Sequence, residues 1–230
     1  MSDATPSRID DYLDVFVSPS KLFERRSDGK FGQALVVLVV LVAILFFATK
    51  SAMAPIMDAE MAKGMAANPN LTAEQIEGMK KFGGIAFGAS LIVGTPIAVL
   101  LLGLVIFLVA KMVGQGMSYA QGATIATFSM FPRVVDSIVS AVQALLMDES
   151  QLTSRYSVSL GLGRLMDSPT ANPVLLALVG RLDVFTIWVT ILIAIGLKVM
   201  ARATAAQAAI GAVIVWIVGA LPTVLGALRQ

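Results

Sequence analysis

The chain contains no cysteine and no histidine. Disulfides, thiolate nucleophiles, CxxC redox sites and imidazole-bound zinc or haem are therefore excluded. A Ser–His dyad is excluded as well, although Ser90 sits in an apolar run after Gly88-Ala89. Charge is scarce: 14% of residues are charged, against about 25% in soluble domains. The net charge of +2 is small and scattered, which argues against a nucleic-acid partner. A Gly-rich dinucleotide loop is missing too, because Met166 stands where Gly161-Leu162-Gly163 would need its third glycine and no strand pattern precedes it. No cofactor and no enzymatic activity are expected.

What remains is apolar. The chain is 57% hydrophobic, with a mean hydropathy of +0.83. Five apolar stretches run over residues 32–49, 83–110, 122–147, 184–200 and 205–228. A spanning helix needs roughly 20 mostly apolar residues at about 1.5 Å each. The first and fourth are short but can borrow flanking residues, and the second is long enough to tilt. This pattern predicts an all-α polytopic membrane protein: a bundle of five transmembrane helices over residues 32–230, preceded by an amphipathic segment over 1–31.

Orientation follows from the bases. Arg25, Arg26 and Lys30 precede the first span closely, and the short connections near Lys111 and Arg202 carry no acid. Short loops and helix ends carry the positive-inside bias most strongly. The longer connections, 50–82 and 148–183, mix both signs. The N-terminus is expected inside and the C-terminus outside. A long leader with six acids is unlike a secretory signal. Although Ala52-Met53-Ala54 resembles a cleavage site, an uncleaved anchor helix is the expectation.

In the N-terminal segment Ile9, Tyr12, Leu13 and Phe16 recur at helical spacing, opposite Asp10, Asp11 and Asp14. Helices that lie on a membrane surface usually carry Lys and Arg on the polar face. The four apolar residues are therefore expected to dock on protein, either the chain's own bundle or a partner. Ser18-Pro19 can cap a following interfacial helix with Leu22 and Phe23 on its apolar side. In the first outer loop Met53, Met57, Met61 and Met65 stand four apart. Thioethers can bind cuprous ion, but with neither His nor Cys beside them a packing stripe is the expectation. Thr72-Ala73-Glu74-Gln75 spells a capping box for a helix running into the second span. Asn172-Pro173 reads as the start of a short helix through Val179, with Gly180 placed to end it. That helix should lie flat at the outer interface.

Arg133 and Asp136 fall near the middle of the third span. Either would cost about 2.5–3.5 kcal/mol facing lipid at mid-depth. Three apart, they share a helix face and can pair, while Pro132 should kink the helix beside them. A structural pair and an ion or substrate path are both open. Gly84, Gly88, Gly196, Gly211, Gly219 and Ala220 stand where small residues permit close helix approach.

At the fourth span Arg181-Leu182-Asp183-Val184-Phe185-Thr186-Ile187-Trp188 is followed by Leu192 and Ile195-Gly196-Leu197. A short loop then leads into Ala205-Ala206-Gln207-Ala208. Together with Gly116-Met117-Ser118-Tyr119, Thr127, Phe131-Pro132 and the early Ser18-Pro19 and Phe23, this resembles the Yip (Ypt/Rab-interacting protein) domain family over about residues 15–225. The resemblance implies five spans with an inside N-terminus and adds Asp183 and Trp188 to Pro132, Arg133 and Asp136 as intramembrane polar or structural positions. Eukaryotic members work in vesicle traffic with Rab-type GTPases. The short N-terminus here looks more like the bacterial branch, so Rab binding is not carried over. The function expected is a non-enzymatic scaffold or accessory subunit in a bacterial inner membrane, contacting lipid and other membrane proteins, such as a transporter complex. The alternative is a transport or lipid-handling protein using Arg133 and Asp136. Orientation is testable because the chain has no cysteine of its own. Impermeant thiol reagent on sealed cells should reach Cys placed at Ala66 or Ser168 but not at Ser20, and labelling at Ser20 would reverse the topology.

Overall fold

The computed structural model describes residues 9–66, 68, 70–114, 116–166 and 170–228. Ser168 and residues 1–8 lie outside them. The described residues form α-helices, two 3-10 turns and no strand beyond one isolated bridge. In chain order the helices are α1 (Asp10–Val17), α2 (Pro19–Arg25), α3 (Gly32–Ala66), α4 (Ala73–Val113), α5 (Tyr119–Ser129), α6 (Phe131–Leu146), α7 (Pro173–Val179), α8 (Val184–Met200) and α9 (Ala205–Ala227). Among the described residues four stretches are long and apolar enough to cross a membrane: α3, α4, α5 with α6, and α9. The 17-residue α8 is a fifth apolar helix, shorter than these. The protein is an all-α polytopic membrane protein.

The helix of the first apolar stretch does not stop at Thr49. Residues 50–66 are dominated by Ala, Met, Lys and Glu, which favour helix, and α3 runs through them and past Pro55 to Ala66. Its 35 residues measure about 52 Å against about 30 Å of hydrocarbon. The 41-residue α4 is longer still, about 61 Å. It begins at the expected capping box: Thr72 N donates to Gln75 Oε1 at 2.9 Å, and Gln75 N donates to Thr72 Oγ1 at 3.3 Å. Thus α3 continues as helix through what the hydropathy pattern marked as loop, while α4 runs into its apolar stretch as the capping box predicts.

The third span breaks at Met130, one residue before α6 and beside Pro132. Proline in a first helical turn sacrifices no backbone hydrogen bond, so the ring specifies the restart. At the other end Ser118 and Gln121 make a second capping box, which sets the start of α5 at Tyr119. Thr204 and Gln207 repeat the device at α9.

The chain forms two compact units. One comprises Met1–Leu38, Pro96–Arg133 and Trp188–Gly219. At its centre is α5, buried continuously from Gly122 to Ser129. A Cβ on Gly103 would lie 2.7 Å from Ala123 Cα, and one on Gly122 would lie 2.5 Å from Gly103 O. The α4–α5 crossing is therefore a glycine-to-backbone contact, the close approach that drives helix association in lipid. Gly196 lets α8 onto Ile125, and Gly211 lets α9 onto Leu197, Val109 and Val113.

The other unit comprises Val39–Thr95, Val134–Ile187 and Ala220–Gln230. Here Gly88 admits the Phe46 ring, which also meets Phe87 at 6.2 Å. Ile56, Ala144, Leu152 and Val158 form a buried cluster with Met53 and Met147 against it. Met53 is thus packing material, and the Met61 sulfur lies against Gly83. The helix α7 starts as expected, with Asn172 Oδ1 accepting from Val174 N at 3.0 Å and Leu175 N at 3.1 Å. Gly84 differs from the sequence expectation: nothing stands within 4 Å of its Cβ direction. Gly103→Val should therefore cost about 1–3 kcal/mol by overpacking, lowering the melting temperature and monodisperse yield in detergent. Gly84→Ala should be neutral or gain up to about 1 kcal/mol.

Candidate functional site

In the first unit the chain turns sharply at Ser18 and sends α2 back along α1. Asp11 stands two turns before that point and Arg25 two turns after it, so the fold brings them together. Arg25 Nε donates to Asp11 Oδ1 at 2.8 Å, and its Nη2 reaches Asp14 Oδ2 at 2.7 Å. Arg26 holds the other Asp11 oxygen through Nε at 2.7 Å and also through Nη2. The Asp11 side chain is 3% exposed, and a carboxylate so deeply buried needs such partners. Burial pulls the Arg25 guanidinium down, but hydrogen bonds to Asp14 and Asp11 outweigh it and raise its pKa. The spacing of opposite charges about Ser18-Pro19 was the readable sign of this cluster.

The four apolar residues of α1 divide. The Tyr12 ring lies 5.4 Å from Phe131 and 6.5 Å from Phe128, and Phe16 meets Trp188 edge-on at 5.6 Å. Val15 is fully buried between them in sequence, as are Leu22 and Phe23 of α2. Ile9 and Leu13 instead face away, 71% and 63% exposed, with Val17 at 74%. The segment thus docks on its own bundle through Tyr12 and Phe16. A small cavity of about 180 Å³ opens beside Asp11, Arg26 and Lys30, with Gln33, Tyr12 and Phe128 among its walls.

Pro132 and Arg133 occupy the first turn of α6, where Arg133 N donates to Met130 O at 3.0 Å. The Arg133 side chain is half-buried and engaged. Nearby, the Ser129 hydroxyl is fully buried without a hydrogen-bond partner.

In the second unit Asp136 accepts from Ser140 Oγ at 3.5 Å. One turn on, Gln143 Nε2 donates to Val158 O at 2.8 Å, while Arg164 Nη1 donates to Gln143 Oε1 at 2.8 Å. These bonds tie the loop 148–166 to α6. Asp183, 7% exposed, caps α8: its Oδ1 accepts from Phe185 N at 3.0 Å and Thr186 N at 2.9 Å, and its Oδ2 from Thr186 Oγ1. Negative charge at that helix start is favoured by the dipole. Gly161 pairs with Asp183 through an isolated bridge, and a Cβ there would fall 2.6 Å from Asp183 Cβ. Asp183 is thus an N-cap held in place by a glycine loop. The pattern Asp-x-x-Thr ahead of an apolar run was the signal for it.

Among the described residues no group of three or more His, Cys, Asp or Glu could hold a metal ion. The Yip1 domain family model matches residues 13–226. No curated protein and no solved structure matches the chain. Asp183→Ala should lower stability by about 0.5–2 kcal/mol through loss of the cap, read as a lower melting temperature in detergent. Asp183→Asn should keep most of it.

Proposed function

Since this chain belongs to the Yip1 domain family, we propose that it is a non-enzymatic membrane scaffold or accessory subunit that binds other membrane proteins. The observation that supports this most is how its buried charge is used. Asp11 is consumed by Arg25 and Arg26, and Asp183 by the start of α8. A transport path needs ionisable groups free to bind and release its cargo, whereas these are committed to architecture.

The 148–183 connection is the proposed partner surface. There the 3-10 turn Leu162–Leu165 adjoins α7, and Leu162, Leu165, Leu175 and Leu178 are exposed, Leu165 by 81%. Exposed apolar groups concentrated on a connecting segment mark contact surfaces. The orientation belongs to the same proposal. Arg25 and Arg26 are paired with acids in the fold, but acids contribute little to the inside bias during insertion, which supports an inside N-terminus.

One feature favours a transport or lipid-handling role: the helix break at Met130 sets an unpartnered buried hydroxyl, Ser129, near Arg133. A single set of variants separates the readings. Purification in mild detergent with identification of co-purifying proteins should lose specific membrane partners in Leu165→Asp/Leu178→Asp, with folded yield unchanged. Arg133→Leu should reduce folded protein, and adding Asp136→Leu should restore both yield and partner recovery. A well-folded Arg133/Asp136 double variant that keeps its partners but loses biological activity would establish the path instead.

A further inference from the structure

The geometry points to the α1–α2 hairpin as a re-entrant element that enters the leaflet on its own side of the membrane, with Ile9, Leu13 and Val17 set against phospholipid acyl chains. Three independent observations in the first unit carry this, and none depends on the partner reading.

The first is depth. Phe16 packs on Trp188, which stands twelve residues before the end of α8 at Met200, about 18 Å along that helix. Tyr12 packs on Phe128, nine residues into α5, about 13 Å from its start. Half of the hydrocarbon core is about 15 Å. By contrast, the turn after α2 lies level with the start of α5: Gln121 Nε2 donates to Ser27 O at 2.8 Å, and a Cβ on Gly29 would meet Ala120 at 2.8 Å. The chain therefore descends from Ser27 through α2 to Ser18 and returns through α1.

The second is charge. A helix in hydrocarbon must neutralise its acids within the chain. Asp11 and Asp14 of α1 do so through Arg25 and Arg26 at 2.7–2.8 Å, and Asp10 is engaged too; on α2 the exposed Lys21 and Glu24 stand three apart, where opposite charges can neutralise each other.

The third is continuity. Ile9, Leu13 and Val17 recur every four residues on the outer face of α1, each more than 60% exposed. The same unit exposes Leu101 and Leu108 of α4, Ile191 of α8 and Ile210 and Val213 of α9, each 50–58%. These lie in spanning helices, where lipid is the solvent. The α1 stripe has the same composition as that surface and no charge interrupts it.

The test uses the full chain, which lacks cysteine. Single cysteines replace Ile9, Leu13, Val17, Ser27 or Ile210 and carry a nitroxide in vesicles of zwitterionic and anionic phospholipid. Relaxation by oxygen, which partitions into hydrocarbon, is compared with relaxation by a water-soluble nickel chelate. Positions 9, 13 and 17 should match position 210, with an oxygen-to-nickel ratio several-fold above that at Ser27. A ratio equal to that at Ser27 would place the stripe in water and overturn the proposal. Protection from both reagents would mean that a protein, a partner or a second copy, covers it, and would overturn the proposal equally. All five positions have exposed or surface side chains, and an unchanged elution profile confirms that each variant is folded. Asp11→Asn, which removes the anion from Arg25 and Arg26, should raise nickel accessibility at position 13 alone of the pair 13 and 210; an unchanged value would show that the charge cluster does not hold the hairpin in place.

Discussion

Hydrocarbon offers no hydrogen bonds, and that constraint organises this molecule. A polar group buried away from water is costly unless the chain brings it a partner. The buried carboxylate of Asp11 meets two guanidiniums across the α1–α2 turn. The carboxylate of Asp183 takes the orphan N–H groups at the start of α8. Ser118, Thr72 and Thr204 do the same for α5, α4 and α9 through capping boxes. Helix starts are where backbone donors lack intrahelical partners, so short polar residues cluster there.

Apolar burial plays a different part here from the one it plays in water. Because lipid is as apolar as leucine, helices gain little from exchanging lipid for each other, and close contact has to supply the attraction. Gly103 against Gly122, Gly196 against Ile125 and Gly211 against Val109 let backbones approach where a methyl would collide. The aromatic seats of Tyr12 on Phe128 and Phe131, and of Phe16 on Trp188, add oriented ring contacts to the first unit. The N-terminal segment is thereby part of the bundle's own architecture.

Much of this was legible beforehand. The helix starts at Ala73 and Pro173, the interruption beside Pro132 and the opening of α8 at Asp183 are each written in a few adjacent residues. Family membership was also readable, from the stretch Arg181–Trp188 and the loop that follows. Two features emerged only with the structure. Residues 50–66 lack the hydropathy of a span, yet α3 continues through them, because helix persistence depends on propensity and packing and not on hydropathy alone. The four apolar residues of α1 look like one face on a helical wheel, yet Tyr12 and Phe16 are packed while Ile9 and Leu13 are bare. A wheel weighs hydrophobicity only, whereas in the fold the inward face of α1 also carries the paired Asp11.

The sequence by itself determined the class, the apolar stretches and several local stops and starts, because these depend on composition, on runs of about 20 residues and on caps with a reach of three. Tertiary structure decided which glycines are contacts and which, like Gly84, are open. It also decided that Asp11 pairs with Arg25 and Arg26, and that Gly161 seats Asp183. Those outcomes turn on distances between residues far apart in the chain. Only the folded backbone sets such distances, and a low dielectric makes each of them expensive to miss.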